Sequence, residues 1–105
     1  MPGKHQPFHL VDAQEMARQF PATFEAPSQL ELEALRPGVH VKVCIEFVRH
    51  NRPPAQGERF WVMLAEAGET LTGIIDNDLV FADLHGLVLG DQITFERRHV
   101  YQIIS

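Results

Sequence analysis

Residues Val39 to Val48 alternate without a break. Val39, Val41, Val43, Ile45 and Phe47 fall on one side of an extended chain, and His40, Lys42, Cys44, Glu46 and Val48 on the other. Strict period two with β-branched residues on one face predicts a half-buried strand and rules out a helix here. A half-buried strand needs partners, and the chain supplies them downstream. Phe60-Trp61-Val62-Met63-Leu64 lies within a second strand over 59–66. The turn Ala67-Gly68-Glu69 leads to a third over 70–75, so these two form a hairpin. Gly90-Asp91 opens a strand at 92–96, and residues 100–104 read as an edge strand. Between the first two strands, residues 49–57 carry Pro53 and Pro54, which cannot belong to a central strand, so a polar loop is expected. The stretch 79–89 is apolar but interrupted by Asp83, His85 and Gly86, and fits neither period.

Ahead of the strands the period changes. Ala13, Met16, Ala17 and Phe20 share one helical face, with Asp12 as N-cap, Glu15 as its capping-box partner and Pro21 as the stop. Ser28 and Glu31 repeat the start signal before Leu30, Leu32 and Leu35, and the Arg36-Pro37-Gly38 turn follows. The segment reads as a short helix, with an irregular segment as the alternative because Leu30 and Leu32 also fit period two. Residues 1–10 have no period and read as a flexible lead-in, leaving 11–105 as one domain. The expected architecture is α+β: two short N-terminal helices packed on a strongly curved antiparallel sheet of about five strands, a half-barrel. At 105 residues the chain is too short for two cores of ordinary size.

Composition narrows the function classes. No stretch approaches the roughly 20 apolar residues of a membrane-spanning helix, and MPGKHQPFHL lacks the apolar core of a signal peptide, so the cytoplasm is the expected compartment. The net charge is −5, and all of its excess lies in the second half. Residues 1–57 hold six basic and six acidic side chains, whereas 58–105 hold three basic (Arg59, Arg97, Arg98) and eight acidic. This balance argues against nucleic acid and is compatible with a basic protein partner.

Candidates for chemistry are few. The six histidines lack local ligand spacing, because His5 and His9 have Pro7 between them, so no metal or other cofactor is expected. Cys44 sits inside the strand alternation and reads as a small buried side chain rather than a reactive thiol. Asp76 and Asp78 flank Asn77 where a strand ends, and the turn reading of this trio outweighs a general acid–base pair. No nucleophile elbow or phosphate-binding glycine loop is present, and no catalytic residue is assigned. If Phe60 faces inward, Trp61 faces the opposite side, where it is either a binding anchor on an open sheet face or core beneath the helices.

The run GERFWVMLAEAGETLTGIIDNDLVF, followed by GLVLGDQITFERRHVYQI, resembles a bacterial domain family of unknown function typified by small YegJ-type proteins. The resemblance covers residues 36 to 104. It rests on the order of Val41-Lys42-Val43, an aromatic-Trp-Val strand, a Thr72-Gly73 turn, the Asp76-Asn77 pair and then Leu89-Gly90-Asp91. The chain departs from the family where Asp78-Leu79 stand in place of a nearby Pro, and where Tyr101-Gln102 stand in place of an Asp-Trp pair. Such domains are similar to small proteins found beside secreted bacterial toxins, some of which are immunity proteins that occupy a toxin's active site. The resemblance brings no catalytic residues.

The reading that follows is a non-enzymatic protein-binding module of immunity type with an acidic surface, its binding residues being Trp61, Asp76, Asn77, Asp78, Asp83, His85 and Tyr101. One alternative is a small hydrolase or ligand-binding protein with a site near the 76–85 loop. The other is a structural homodimer joined through an edge strand such as 100–104.

Overall fold

The computed structural model describes residues 8–49 and 52–104. Its organising element is the predicted strand, here β2 (His40–Arg49), with β1 (His9–Leu10) ahead of it. Downstream come β3 (Arg52–Ala67), β4 (Leu71–Ile75), β5 (Gln92–Phe95) and β6 (Gln102–Ile104). The strands form one antiparallel sheet in the order β1-β2-β3-β4-β5. β6 pairs with β2 on the edge that β1 also uses, through His40↔Ile104, Val41↔Ile103 and Lys42↔Gln102. The domain is α+β with a curled antiparallel half-barrel.

The inner face holds the main core. Val39, Val41, Val43, Ile45 and Phe47 are all buried and meet Phe60, Val62 and Leu64 of β3, Leu71 and Ile75 of β4, Ile93 and Phe95 of β5, and Val100. Alternation therefore translates directly into burial along β2. The Arg36-Pro37-Gly38 turn that launches this strand depends on Gly38 at φ 93°, a left-handed conformation that suits glycine.

The helices do not share one face. α1 (Ala13–Gln19) and α2 (Gln29–Glu33) begin where their caps predict: the Asp12 carboxylate accepts the Glu15 N–H, and Ser28 and Glu31 form a reciprocal capping box. From α2 and the turn after it, Leu32 and Leu35 enter the inner core. The other helix belongs to a small second cluster on the outer face, where Ala13 packs with Cys44 and Tyr101 beside Val11, Phe24 and Ala26. Its expected apolar stripe is only partly used. Ala13 is fully buried, whereas Phe20, its C-cap, is half exposed.

Three further expectations change. The lead-in assigned to residues 1–10 falls outside the described residues for 1–7, but His9 and Leu10 pair with Glu46 and Ile45. The polar loop at 49–57 is instead mostly strand, since β3 starts at Arg52 and its register runs Arg49↔Arg52 and Phe47↔Gln56. Among the described residues β4 joins β3 from Val62 onward and β2 is the strand paired along the stretch with Pro53 and Pro54, and an edge tolerates proline. Thr72-Gly73 is no turn but the middle of β4, opposite an irregularity between Leu64 and Glu66.

Candidate functional site

The segment 76–90 forms an Ω-type loop, compact and closed at its neck. Ile75 donates its N–H to the Asp91 carbonyl at 2.9 Å, and Gly90 donates to the Ile75 carbonyl at 2.8 Å. Next to the neck, the Asp76 N–H reaches the Trp61 carbonyl, and the Asn77 Oδ1 accepts the Trp61 N–H at 2.6 Å. Asn77 Nδ2 also donates to the Asp78 carbonyl, so its side chain is committed to the backbone, as the turn reading expects. The Asp91 carboxylate closes the far side by accepting the Val88 N–H.

The loop's centre is held by a residue outside it. Glu58 lies on the inner face of β3, in register with Ile45, and is buried. Its carboxylate accepts the N–H groups of Val80 at 2.5 Å and Phe81 at 3.1 Å, and meets His85 Nε2 at 2.8 Å. His85 ends α3 (Ala82–His85), is 1% exposed, and accepts the Leu87 N–H on Nδ1. That bond leaves the proton on Nε2, so a neutral imidazole donates to Glu58. Phe47 packs edge-on against the His85 ring at 5.3 Å, with Phe8 at 6.5 Å. Every polar atom of this buried knot therefore has a partner.

Burial pushes the Glu58 carboxyl up, but the bonds from His85, Val80 and Phe81 outweigh it and hold the group below its ordinary value. His99 is depressed as well, by burial and then by the neighbouring Arg98 guanidinium. Each group favours its deprotonated form in the fold, so each contributes stability that is present above its ordinary value, 6.5 for His99 and 4.5 for Glu58, and is lost as the pH falls through the folded value. The urea midpoint is expected to drop on acidification below pH 6.5 and to fall further below pH 4.5. The second fall should flatten in Glu58→Gln; a variant with an unchanged pH profile would remove Glu58 as its source.

With its polar interior satisfied, the loop divides its other side chains between the core and solvent. Leu79, Phe81, Leu84 and Leu87 pack against the core. Val80 is 77% exposed, Leu89 53% and Val88 47%. Asp76, Asp78 and Asp83 are exposed alongside them. Residues 60–96 contain seven carboxylates and neither Lys nor Arg, which leaves the loop's anionic charge without a nearby cation in sequence. Asp76 does meet His40 Nε2 at 2.8 Å across the outer face of β3.

The residues singled out from sequence thus separate into three places. Asp76, Asp78 and Asp83 are on the loop surface. Asn77 and His85 serve the loop's interior, Asn77 through the backbone and His85 through Glu58. Trp61 lies half-buried on the outer sheet face with the Lys42 ammonium 4.8 Å from its ring centre, beside Met63, and neither helix covers it as core. Tyr101 is buried on the same outer face, edge-on to Phe24 at 4.8 Å. Burial, then its Cys44 neighbour, raises the phenol well above the usual range. Cys44 is buried beside it, and burial likewise raises the thiol.

Sequence reasoning missed Glu58, although a signal existed. Period two places it on the side of Phe60, Val62 and Leu64, and a carboxylate on a core face demands donors.

Among the described residues no group of three or more His, Cys, Asp or Glu is placed to hold a metal ion, and no helix is long and apolar enough to cross a membrane. Comparison with protein-family models, with curated proteins and with solved structures gives no match.

Proposed function

We propose that the chain is a non-enzymatic protein-binding module that engages a basic partner through the 76–90 loop. One observation carries the reading. A loop closed at its neck and pinned from beneath by a buried carboxylate displays Val80, Val88 and Leu89 among Asp76, Asp78 and Asp83. The held backbone that carries these apolar side chains has little further entropy to lose on docking, which favours affinity. The surrounding carboxylates attract a surface bearing Lys or Arg and repel acidic ones, which favours selectivity. A neutraliser of the immunity type, implied by the family resemblance, is one form of such a module.

The hydrolase alternative needs a cavity lined by Asp76, His85 or His99. His85 has both ring nitrogens engaged and its side chain fully buried, and the groove formed by residues 23–28, Arg59 and residues 101–103 includes none of these three residues. That distribution favours binding over turnover.

The test compares the wild type with a triple variant, Asp76→Lys, Asp78→Lys and Asp83→Lys, as baits in the protein's own cell lysate at low and high salt. A stoichiometric partner is expected with the wild type at low salt only, and its capture should fall at least about tenfold with the variant. A partner held equally by both baits would place the interface elsewhere on the molecule.

A further inference from the structure

A groove of about 750 Å³ opens on the outer face, away from the 76–90 loop. One wall is the segment Thr23 to Ser28 with Glu31; the other is formed by Arg59, Tyr101, Gln102 and Ile103. Its volume falls in the range of roughly 300–1,000 Å³ common for ligand sites.

Three features of the groove point the same way. First, β6 supplies Gln102 and Ile103 and pairs with β2 alone, so among the described residues its other edge has no strand beside it. Second, Arg59 takes part in none of the ion pairs among the described residues. Its guanidinium lies 5.1 Å from the Tyr101 ring centre, and that ring is fixed by burial and by Phe24, so the charge is steadied without being neutralised. Third, the facing wall mixes Phe24, Ala26 and Pro27 with Ser28 and Glu31, whose polar groups are occupied with each other. Glu31 caps Ser28, which leaves Glu25 as the wall's carboxylate without a hydrogen bond among the described residues.

We propose that this groove binds the C-terminal end of an extended peptide. The peptide adds as a short strand along the open edge of β6, its terminal carboxylate pairs with Arg59, and an apolar side chain near its end rests on Phe24, Ala26 and Pro27. A guanidinium offers the planar fork that a carboxylate matches with two parallel hydrogen bonds. A free strand edge supplies main-chain pairing, and together these give the terminal-carboxylate form of strand addition. Glu25 on the facing wall selects against an acidic residue just upstream. This site is separate from the acidic loop, and neither proposal depends on the other.

The test uses the full chain, isotopically labelled, titrated with a pool of N-acetylated pentapeptides ending in Val, Leu, Ile or Phe as free acids, and with the same pool amidated. Amide shifts confined to 23–28 and 102–104 are expected with the free acids, together with a change in emission of Trp61, two residues from Arg59. Amidation should weaken binding at least about tenfold, as should Arg59→Gln, while Arg59→Lys should retain part of it. Arg59 is exposed, and well-dispersed amide spectra will verify that both variants fold. No shifts with millimolar free-acid pool, or equal affinity for the amides, overturns the proposal. Acetate or inorganic phosphate reproducing the same shifts at the same concentration also overturns it, by reducing the site to an unspecific anion contact.

Discussion

Glu58→Ala is expected to cost about 3 kcal/mol and to lower the thermal midpoint by on the order of 15 °C, the largest effect of any single polar substitution in this domain. The carboxylate is the common acceptor for Val80 N–H, Phe81 N–H and His85 Nε2–H. Its removal leaves one buried donor, His85 Nε2–H, and two part-buried ones without their acceptor, and each buried unsatisfied group costs about 1–3 kcal/mol. Water can reach the part-buried Val80 and Phe81 N–H groups, which keeps the total below the arithmetic sum. Glu58→Gln retains one acceptor but turns an amide NH₂ toward the donors, so it should fall between alanine and wild type. Urea unfolding of the three proteins measures the series. A loss under 1 kcal/mol for alanine would mean that the loop is held by Leu79, Phe81, Leu84 and Leu87 rather than by the carboxylate.

The second large effect is expected at Gly73. A methyl group there would fall 2.5 Å from Val62 Cγ1 and 2.6 Å from the Met63 carbonyl oxygen. The side chain could rotate away, but the carbonyl belongs to the β3–β4 ladder and cannot retreat without breaking the register Met63↔Ile74. Gly73→Ala should therefore destabilise by about 3 kcal/mol, at the upper end of overpacking effects, and should perturb amide signals on both strands of the hairpin. Gly68→Ala is the control. Its added carbon would lie 4.0 Å from the Thr70 carbonyl oxygen, an ordinary contact, and the change in stability should stay within about 0.5 kcal/mol. Equal losses at the two positions would show that backbone freedom, rather than the close approach, governs both.

These two residues mark the limits of what the chain discloses before it folds. Alternation over 39–48 translates into burial because each side chain's environment is set by a backbone period of two. The caps at Asp12 and Ser28 are legible for a similar reason, since capping is local to three or four residues. Gly73 reads as a turn residue in isolation, and only the neighbouring strand shows why it must lack a side chain. Pro53 and Pro54 mislead in the opposite direction. Their incompatibility with a central strand is correct, but whether a given stretch of strand is central depends on how far β4 extends along β3, which no local pattern encodes.

The loop exposes the same divide. Asp76, Asn77 and Asp78 announce a turn by composition, and Asn77 performs that role. His85 gives no sign of its burial, because its partner lies 27 residues upstream on a different element. The pair becomes visible only when Glu58 is recognised as a carboxylate on a core face and its donors are sought elsewhere in the chain. The destination of α1 is illegible for another reason. Ala13, Met16 and Ala17 form a face too small to choose between the two sides of a sheet, and Cys44 and Tyr101 decide it by offering an apolar patch on the outer one.

The neck of the 76–90 loop has a consequence for how such a domain can diversify. Because Ile75 exchanges hydrogen bonds with Gly90 and Asp91, and Glu58 and the inward Leu79, Phe81, Leu84 and Leu87 anchor the segment from beneath, its outward side chains take no part in the strand ladders. Residues such as Val80, Asp83 and Val88 can be replaced without altering a single strand register. The arrangement behaves like an exchangeable head on a fixed handle, on which selection could rewrite the displayed surface for a new partner while folding stays with the strands.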